Sequence, residues 1–244
     1  MSLQLNDVVS GYSEDIDILK GVSMDAEESK VTTIVGPNGA GKSTILKTVL
    51  GFLRPKSGSI VYNGENITGL EPHEMLGSGL AYVPQDRSTF PYLSVHENMM
   101  LGRWIYRKEG SGKRESAIED AYERFPNLSE KRSHKAGFLS GGEQRMLEMA
   151  RALVTSPSMM MLDEPTAGLA PKLAKDVYRK IQDLASSGLT ILLVDQNVRL
   201  ALEVADHAYV IELGAVSRQG EASEFRDNLK ELIGSWFVST PASA

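Results

Sequence analysis

The chain has 244 residues, a hydrophobic content of 41% and a formal net charge of −6, values that fit a globular protein with a large core in one or two domains. The negative charge argues against a general affinity for nucleic acid, and the absence of cysteine excludes disulfides, thiolate catalysis and cysteine metal sites. No apolar run approaches the roughly 20 residues that cross a bilayer, and residues 1–7 lack a signal-peptide pattern, so we expect any membrane role to be carried out through a partner.

Short strands and one helix are predicted for the first third of the chain. The patterns at residues 3–9 and 18–22 predict two antiparallel strands. A β-branched run at residues 30–35 ends at Gly36 and is followed by a helix pattern at residues 42–50, which is the order that a phosphate-binding loop requires. Further short strands are predicted at residues 59–62 and 80–83.

Helical patterns dominate from about residue 88 to residue 156. Ser94 and Glu97 form a capping-box pattern at the start of a helix that we expect to run to about Trp104. Two further helices are predicted, at residues 113–125 and 143–154. We therefore expect a helical subdomain inserted into an α/β core.

Strands and helices alternate again in the last third of the chain. Buried strands at residues 159–162 and 190–194 flank a helix that has an apolar stripe and is ended by Gly188. Residues 207–213 and 215–218 predict a hairpin. Short strands that alternate with helices of this length indicate a mostly parallel sheet covered on both faces.

A nine-residue segment after the strand at 30–35 contains the pattern G-x-x-x-x-G-K-[ST] of a phosphate-binding loop. Its glycines allow backbone N–H groups to turn inward around phosphates, and the following helix contributes the positive end of its dipole. The ammonium of Lys42 can neutralise β- and γ-phosphate charge, and the hydroxyl of Ser43 can ligate Mg²⁺. The predicted nucleotide-binding residues are Gly36, Pro37, Asn38, Gly39, Ala40, Gly41, Lys42, Ser43 and Thr44.

Two carboxylates, Asp163 and Glu164, end the apolar strand at residues 159–162. Acidic side chains at the end of a buried strand are costly unless they have a partner, and the expected partner is hydrated Mg²⁺ held through Asp163. Glu164 is then placed to act as the general base that deprotonates the attacking water. The alternative is an ordinary strand-to-turn ending, where aspartate is common.

A second helix start, at Ser140, Gly141 and Gly142, offers free N–H donors and a hydroxyl that suit a γ-phosphate. The alternative is a simple N-cap in a flexible turn. The segment Leu-Ser-Gly-Gly-Glu-Gln at residues 139–144, upstream of the acidic strand end, resembles the signature of the ATP-binding subunits of ABC transporters. The resemblance extends over essentially the whole chain.

This resemblance implies a P-loop NTPase fold and an ATPase activity with ATP and Mg²⁺ as cofactors. It implies that Gln85 contacts the metal and the water, and that Tyr12 stacks on adenine, although Tyr12 could instead be a core tyrosine. It further implies that two chains pair head to tail, so that the signature residues of one chain close on the nucleotide of the other. Those signature residues are Ser140, Gly141, Gly142 and Glu143.

Two positions depart from the common family pattern. Gln196 stands where most members have a histidine, and Ala170 stands where an aspartate is usual. Glutamine can donate to and accept from a γ-phosphate but cannot carry a positive charge. Both departures resemble the smaller ATPase of branched-chain amino acid importers, and the related urea-importer ATPase shares them.

This branch implies an importer subunit on the cytoplasmic face of the cell membrane. Its expected partners are transmembrane permease subunits and a second ATPase chain, in a homo- or heterodimer. A periplasmic or extracellular solute-binding protein is an indirect partner. Residues 86–93 are the expected permease contact, and no nucleic acid partner is expected. A soluble ABC ATPase of an assembly system is the alternative. A nucleotide sensor that does not hydrolyse ATP is disfavoured because Glu164 and Lys42 are intact. We expect one ATPase domain at residues 1–237 with its helical subdomain at about 88–156, and a disordered tail at residues 238–244.

Overall fold

A computed structural model of the chain describes residues 2–102, 111–230, 234 and 236. These residues fall into two compact units, one formed by Met1–Glu71 with Ile181–Ala244 and the other by Pro72–Lys180. The expected helix end at Trp104 and the expected tail at residues 238–244 lie outside the described residues.

The strands are β1 (Leu3–Ser10), β2 (Leu19–Ala26), β3 (Val31–Val35), β4 (Ser57–Tyr62), β5 (Glu65–Asn66), β6 (Leu80–Val83), β7 (Met159–Asp163), β8 (Thr190–Val194), β9 (His207–Glu212) and β10 (Ala215–Glu221). The helices are α1 (Lys42–Val49), α2 (Pro72–Gly77), α3 (Val95–Gly102), α4 (Ser111–Arg124), α5 (Pro126–Ser129), α6 (Gly141–Leu153), α7 (Pro171–Ser186), α8 (Val198–Val204) and α9 (Ala222–Asp227).

The first unit contains an antiparallel sheet in the order β2-β1-β4-β5. In β1, Leu3, Leu5 and Val8 are buried, and the pairing with β2 shifts register between Leu5 and Val8. Asp7 has a left-handed φ of 48° in this irregular stretch, which explains why the buried positions do not keep a strict period of two. The predicted antiparallel pairing of the first two strands is confirmed.

A second set of strands in this unit carries the phosphate loop. β3 pairs in parallel with β8 on one side and with β9 on the other, and β10 pairs antiparallel to β9. Every residue of β3 and β8 is buried, as expected for parallel strands covered on both faces. The loop between β3 and α1 therefore begins at the end of a buried strand that is paired on both sides.

The second unit combines a parallel strand pair with the predicted helices. β6 and β7 align Leu80 with Met159 and Val83 with Leu162. Helices α3, α4 and α5 contact α6, which also contacts β6. The predicted α/β class with an antiparallel N-terminal part and a helical part is confirmed. No helix among residues 2–102 and 111–230 combines the length and the apolar character that a bilayer span requires.

Candidate functional site

The phosphate loop turns sharply between β3 and α1. Gly36 has a φ of 154°, and a Cβ atom at this position would lie 2.1 Å from the backbone oxygen of Ile211. Gly41 is the left-handed N-cap of α1, with a φ of 104°. Backbone at positive φ is adopted readily only by glycine, so both positions require it. The local geometry explains the spacing of the glycines in the motif.

The Lys42 side chain occupies the centre of this loop. It is 5% exposed, and its Nζ donates to the carbonyl oxygens of Gly36 and Pro37 at 2.9 Å each. The first turn of α1 contains no acidic residue, so the helix itself adds no negative charge at the positive end of its dipole. Lysine and helix end together make the loop suited to an anion.

Tyr12 lies in the connection between β1 and β2 and is 60% exposed, which does not fit a core tyrosine. The Nζ atom of Lys47 lies 3.3 Å from the Tyr12 hydroxyl and 5.4 Å from the centre of its ring. A cation near an aromatic ring is attracted to its π face. Sequence reasoning did not single out Lys47, because a lysine on the outer face of a helix is ordinarily solvated.

Gln196 follows β8 and is exposed. Its two neighbours have structural roles. The carboxylate of Asp195 accepts from the backbone N–H of Asn197 at 2.8 Å, and the side chain of Asn197 caps α8 by accepting from the N–H of Leu200 at 3.3 Å. These bonds hold the turn that displays Gln196.

In the second unit, Gln85, Asp163 and Glu164 meet at the carboxyl ends of β6 and β7. The Nε2 atom of Gln85 donates to Oε2 of Glu164 at 2.7 Å, and the hydroxyl of Tyr82 donates to Oδ2 of Asp163 at 3.2 Å. Asp163 is 3% exposed and Glu164 is 6% exposed. Glu164 also has a left-handed φ of 45°, a strained conformation that is concentrated at functional sites. The parallel strand pair thus joins residues separated by almost eighty positions.

The signature segment begins α6 with a complete capping box. The Ser140 hydroxyl accepts from the N–H of Glu143 at 3.3 Å, and the Glu143 carboxylate accepts from the N–H of Ser140 at 2.9 Å. Lys131 also forms an ion pair with Glu143. Burial acts to raise the pKa of Glu143, but the hydrogen bonds from Lys131 and Ser140 outweigh it and lower that pKa overall.

The N-cap interpretation of Ser140 is therefore confirmed as a structural role. Ser140 itself remains exposed at the helix start. Gly142 is buried, and a Cβ atom there would lie 3.3 Å from the Leu173 side chain.

Comparison with known proteins places these motifs in context. Residues 19–167 match the family model described as ABC transporter. The chain is 44% identical over 91% of its length to a probable branched-chain amino acid transport ATP-binding protein LivF of Archaeoglobus fulgidus, covering 92% of that protein. It is 40% identical over 86% of its length to a high-affinity branched-chain amino acid transport ATP-binding protein, BraG, of Pseudomonas aeruginosa, covering 89% of it.

The chain is also similar to an ATP-binding protein that is named for a different transport process. The lipopolysaccharide export system ATP-binding protein LptB of Haemophilus influenzae is 37% identical over 83% of the chain, which covers 84% of that protein. Among solved structures, the ADP conformation of an ATP-binding cassette of an ABC transporter superposes with a TM-score of 0.87 at 30% identity. That superposition covers 98% of this chain and 99% of the other.

Proposed function

Because the chain belongs to the ABC transporter family and is an ATPase with the cassette fold, we propose that it drives uptake of branched-chain or related amino acids through a membrane permease. The observation that carries the amino acid assignment is the 44% and 40% identity to two relatives named for that transport. The similarity to the lipopolysaccharide export ATPase is lower, at 37%.

The first unit supplies the nucleotide-binding residues in this proposal. The backbone donors of residues 36–44 surround the phosphates of ATP, and Tyr12 stacks on the adenine. Lys42 exchanges its present carbonyl partners for β- and γ-phosphate oxygens, where a positive charge stabilises the transition state. Gln196 contacts the γ-phosphate as both donor and acceptor.

The second unit supplies the proton acceptor. Glu164 takes a proton from the attacking water, whose oxygen forms a bond to the γ-phosphorus as the bond to the bridging oxygen of ADP breaks. Gln85 holds the Glu164 carboxylate by the hydrogen bond at 2.7 Å. The products are ADP and inorganic phosphate, and the proton remains on Glu164 until release.

The residues present fit Mg²⁺, which prefers oxygen ligands and is bound in nucleotide sites by one or two carboxylates together with phosphates. Asp163 is an almost buried carboxylate at a strand end, and Ser43 offers a hydroxyl in the first turn of α1. Asp163 and the amide of Gln85 would hold the ion in the second unit. Bound Mg²⁺ would supply neutralisation of the charge that develops on the phosphates.

A second ATPase chain completes each site in this proposal, since Ser140, Gly141 and Gly142 present a helix start to the partner's γ-phosphate. Glu143 does not contact the phosphate in this proposal. It orients Ser140 through the capping box. The partner is either a second copy or a related ATPase, as in importers that combine two different ATPases.

An exposed aromatic surface in the second unit supports the permease contact. Phe90, Tyr92 and Phe138 are 50%, 87% and 85% exposed. The N–H of Gly137 donates to the carbonyl oxygen of Pro91 at 3.0 Å, which places the segments that carry these rings side by side. Grouped exposed aromatic residues mark interaction surfaces. We assign residues 86–93 and Phe138 to the contact with the permease on the cytoplasmic face of the membrane. A separate solute-binding protein delivers the substrate to the permease on the opposite face.

The hydrolytic assignment is tested by Glu164→Gln, which removes the proton acceptor and retains the shape of the side chain. ATP hydrolysis should fall at least about 100-fold while ATP binding persists, and size-exclusion chromatography with ATP should show a stable dimer. Glu115→Gln, an exposed glutamate in α4, is the matched control. Normal turnover by Glu164→Gln would refute the role of this residue as the base.

The substrate assignment is tested by purification from membranes together with bound subunits, followed by uptake into vesicles. Leucine, isoleucine and valine should be taken up in an ATP-dependent manner. Uptake of urea alone would assign the chain to the urea branch, and recovery without any permease would favour a soluble assembly ATPase.

A further inference from the structure

The loop that carries Gln85 is attached to helix α6 by a buried arginine. Arg145 is 5% exposed. Its Nη1 atom donates to the carbonyl oxygen of Pro84 at 2.8 Å, and its Nη2 atom donates to that of Gln85 at 2.8 Å. A planar guanidinium that bonds two successive carbonyls restrains both peptide planes. The backbone of Gln85 is therefore held directly by α6.

A buried glutamate on the same face of α6 extends this attachment. Glu148 is 2% exposed, and its Oε1 atom accepts from the N–H groups of Ser88 and Thr89 at 2.5 and 3.2 Å. Its Oε2 atom lies 2.7 Å from Nη1 of Arg145. One turn further, Arg151 donates to the carbonyl and hydroxyl oxygens of Ser88 at 2.7 Å each.

The pair formed by Arg145 and Glu148 thus binds both ends of the segment at residues 84–89. A buried ion pair contributes little net stability when its charges could be replaced by apolar side chains. Here, however, each charge also satisfies backbone groups of one particular loop. The geometry indicates that the pair determines the conformation of that loop more than the stability of the unit.

The backbone that Arg145 holds carries the side chain that contacts Glu164. The side chain of Gln85 is exposed, and its amide donates to Glu164 at 2.7 Å. Few contacts orient an exposed side chain, so the position of its amide depends on the position of its backbone. Displacement of the loop would therefore move the group that orients the carboxylate of Glu164.

We propose that Arg145 and Glu148 are positioning residues for ATP hydrolysis, which hold the backbone of Gln85 so that its amide orients Glu164. This inference rests on the proposed role of Glu164 as the base. Because Ser140 is the N-cap of α6, the same helix carries the signature serine at its N-terminus and restrains the loop along its buried face.

The variants Arg145→Gln and Glu148→Gln test the proposal in the full chain. Glu148→Gln keeps the volume of the side chain and one acceptor but removes the charge. Each variant should lower kcat about tenfold, because a small displacement of a catalytic group reduces the rate steeply, while the KM for ATP stays within about twofold. Arg145→Lys, which keeps the charge, should recover part of the rate.

The background of Gln85→Ala separates positioning from a general structural effect. If Arg145 and Glu148 act through Gln85, their substitution should cause no further loss of kcat once Gln85 has been truncated. The same tenfold loss in that background would overturn the proposal, as would unchanged hydrolysis by Gln85→Ala. Glu119→Gln is the matched control, because Glu119 forms an exposed ion pair with Arg132 in the same unit, and its kcat should equal that of the wild type.

Hydrogen exchange provides a measurement that does not depend on a folded variant. The N–H groups of Ser88 and Thr89 should be protected in the wild type, since Glu148 accepts from both, and rapid exchange there would contradict the attachment. Failure of the proposed function is recognised separately. If Glu164→Gln retains normal turnover, the base assignment is wrong, whereas loss of turnover in Glu164→Gln with normal kcat in both α6 variants refutes only the positioning role.

Discussion

Asn98 is a fully buried residue of α3 that holds the aromatic loop at residues 90–94. Its Oδ1 atom accepts from the N–H of Phe90 at 2.9 Å, and its Nδ2 atom donates to the carbonyl oxygens of Phe90 and Ser94 at 3.0 and 2.9 Å. A third acceptor, the carbonyl of Leu93, lies at 3.4 Å. Since an amide group has two N–H donors, the structure assigns three good hydrogen bonds to this side chain.

Asn98→Ala removes all three bonds and leaves a backbone donor without its partner. At about 1 kcal/mol net for each bond, the free energy of unfolding should fall by about 3 kcal/mol. If the free energy of unfolding falls by about 2.5 kcal/mol for each molar of urea, the midpoint of urea unfolding should fall by roughly 1 M. Hydrogen exchange should also become faster across residues 90–95, where the loop loses its attachment.

The matched control is Asn66→Ala, because Asn66 is exposed and accepts one bond, from the N–H of Thr68 at 2.9 Å. Its effect should not exceed about 1 kcal/mol. A midpoint for Asn98→Ala equal to that of the control would refute the reasoning. A large loss of stability without faster exchange at residues 90–95 would show that the effect arises elsewhere.

Three further predictions concern the nucleotide-binding and signature segments. Tyr12→Ala should raise the KM for ATP about tenfold with little change in kcat, since one base–aromatic stacking contact is worth about 1–3 kcal/mol. Gly36→Ala should abolish ATP binding measured by calorimetry, because the added Cβ would lie 2.1 Å from a backbone oxygen. Glu143→Gln should reduce the pH dependence of stability measured by urea unfolding between about pH 5 and pH 3. The lowered pKa of this carboxyl means that its stabilisation is present above its ordinary value of 4.5 and is lost as the pH falls through the folded value.

Each of these predictions has its own control. Tyr12→Phe keeps the ring and should leave the KM unchanged, so an effect as large as that of alanine would argue against stacking. Gly39→Ala meets no neighbouring atom but keeps a φ of 77°, so it should weaken binding less than Gly36→Ala does. A wild type whose stability stays constant from pH 5 to pH 3 would contradict the interpretation of Glu143.

Most regular elements could be predicted from the sequence because their cause is local. The strands β6 and β8 have the predicted bounds, since apolar and β-branched runs of this length form buried strands. The predicted capping box at the start of α3 is confirmed by two reciprocal bonds between Ser94 and Glu97, at 2.7 and 3.1 Å. Helices α8 and α9 were missed because seven and six residues are too few to display a clear period.

The phosphate loop and the helix start at Ser140 were likewise accessible to sequence analysis, because glycine conformation and capping depend on a few neighbouring residues. The roles of Arg145 and Glu148 were not. On a helix, such a charged pair ordinarily belongs to the solvated face, and nothing adjacent in the sequence indicates that both side chains are buried.

Local patterns were therefore enough to predict most strands and helices, the phosphate loop and the family resemblance, because each depends on residues close together in the chain. The hydrogen bond from the amide of Gln85 to the carboxylate of Glu164 and the bond from Arg145 to the backbone of Gln85 became evident only from the folded chain. These contacts join residues about sixty to eighty positions apart. They exist because β6 and β7 pair in parallel with one register and α6 packs against β6, and no local pattern specifies which distant strands will pair.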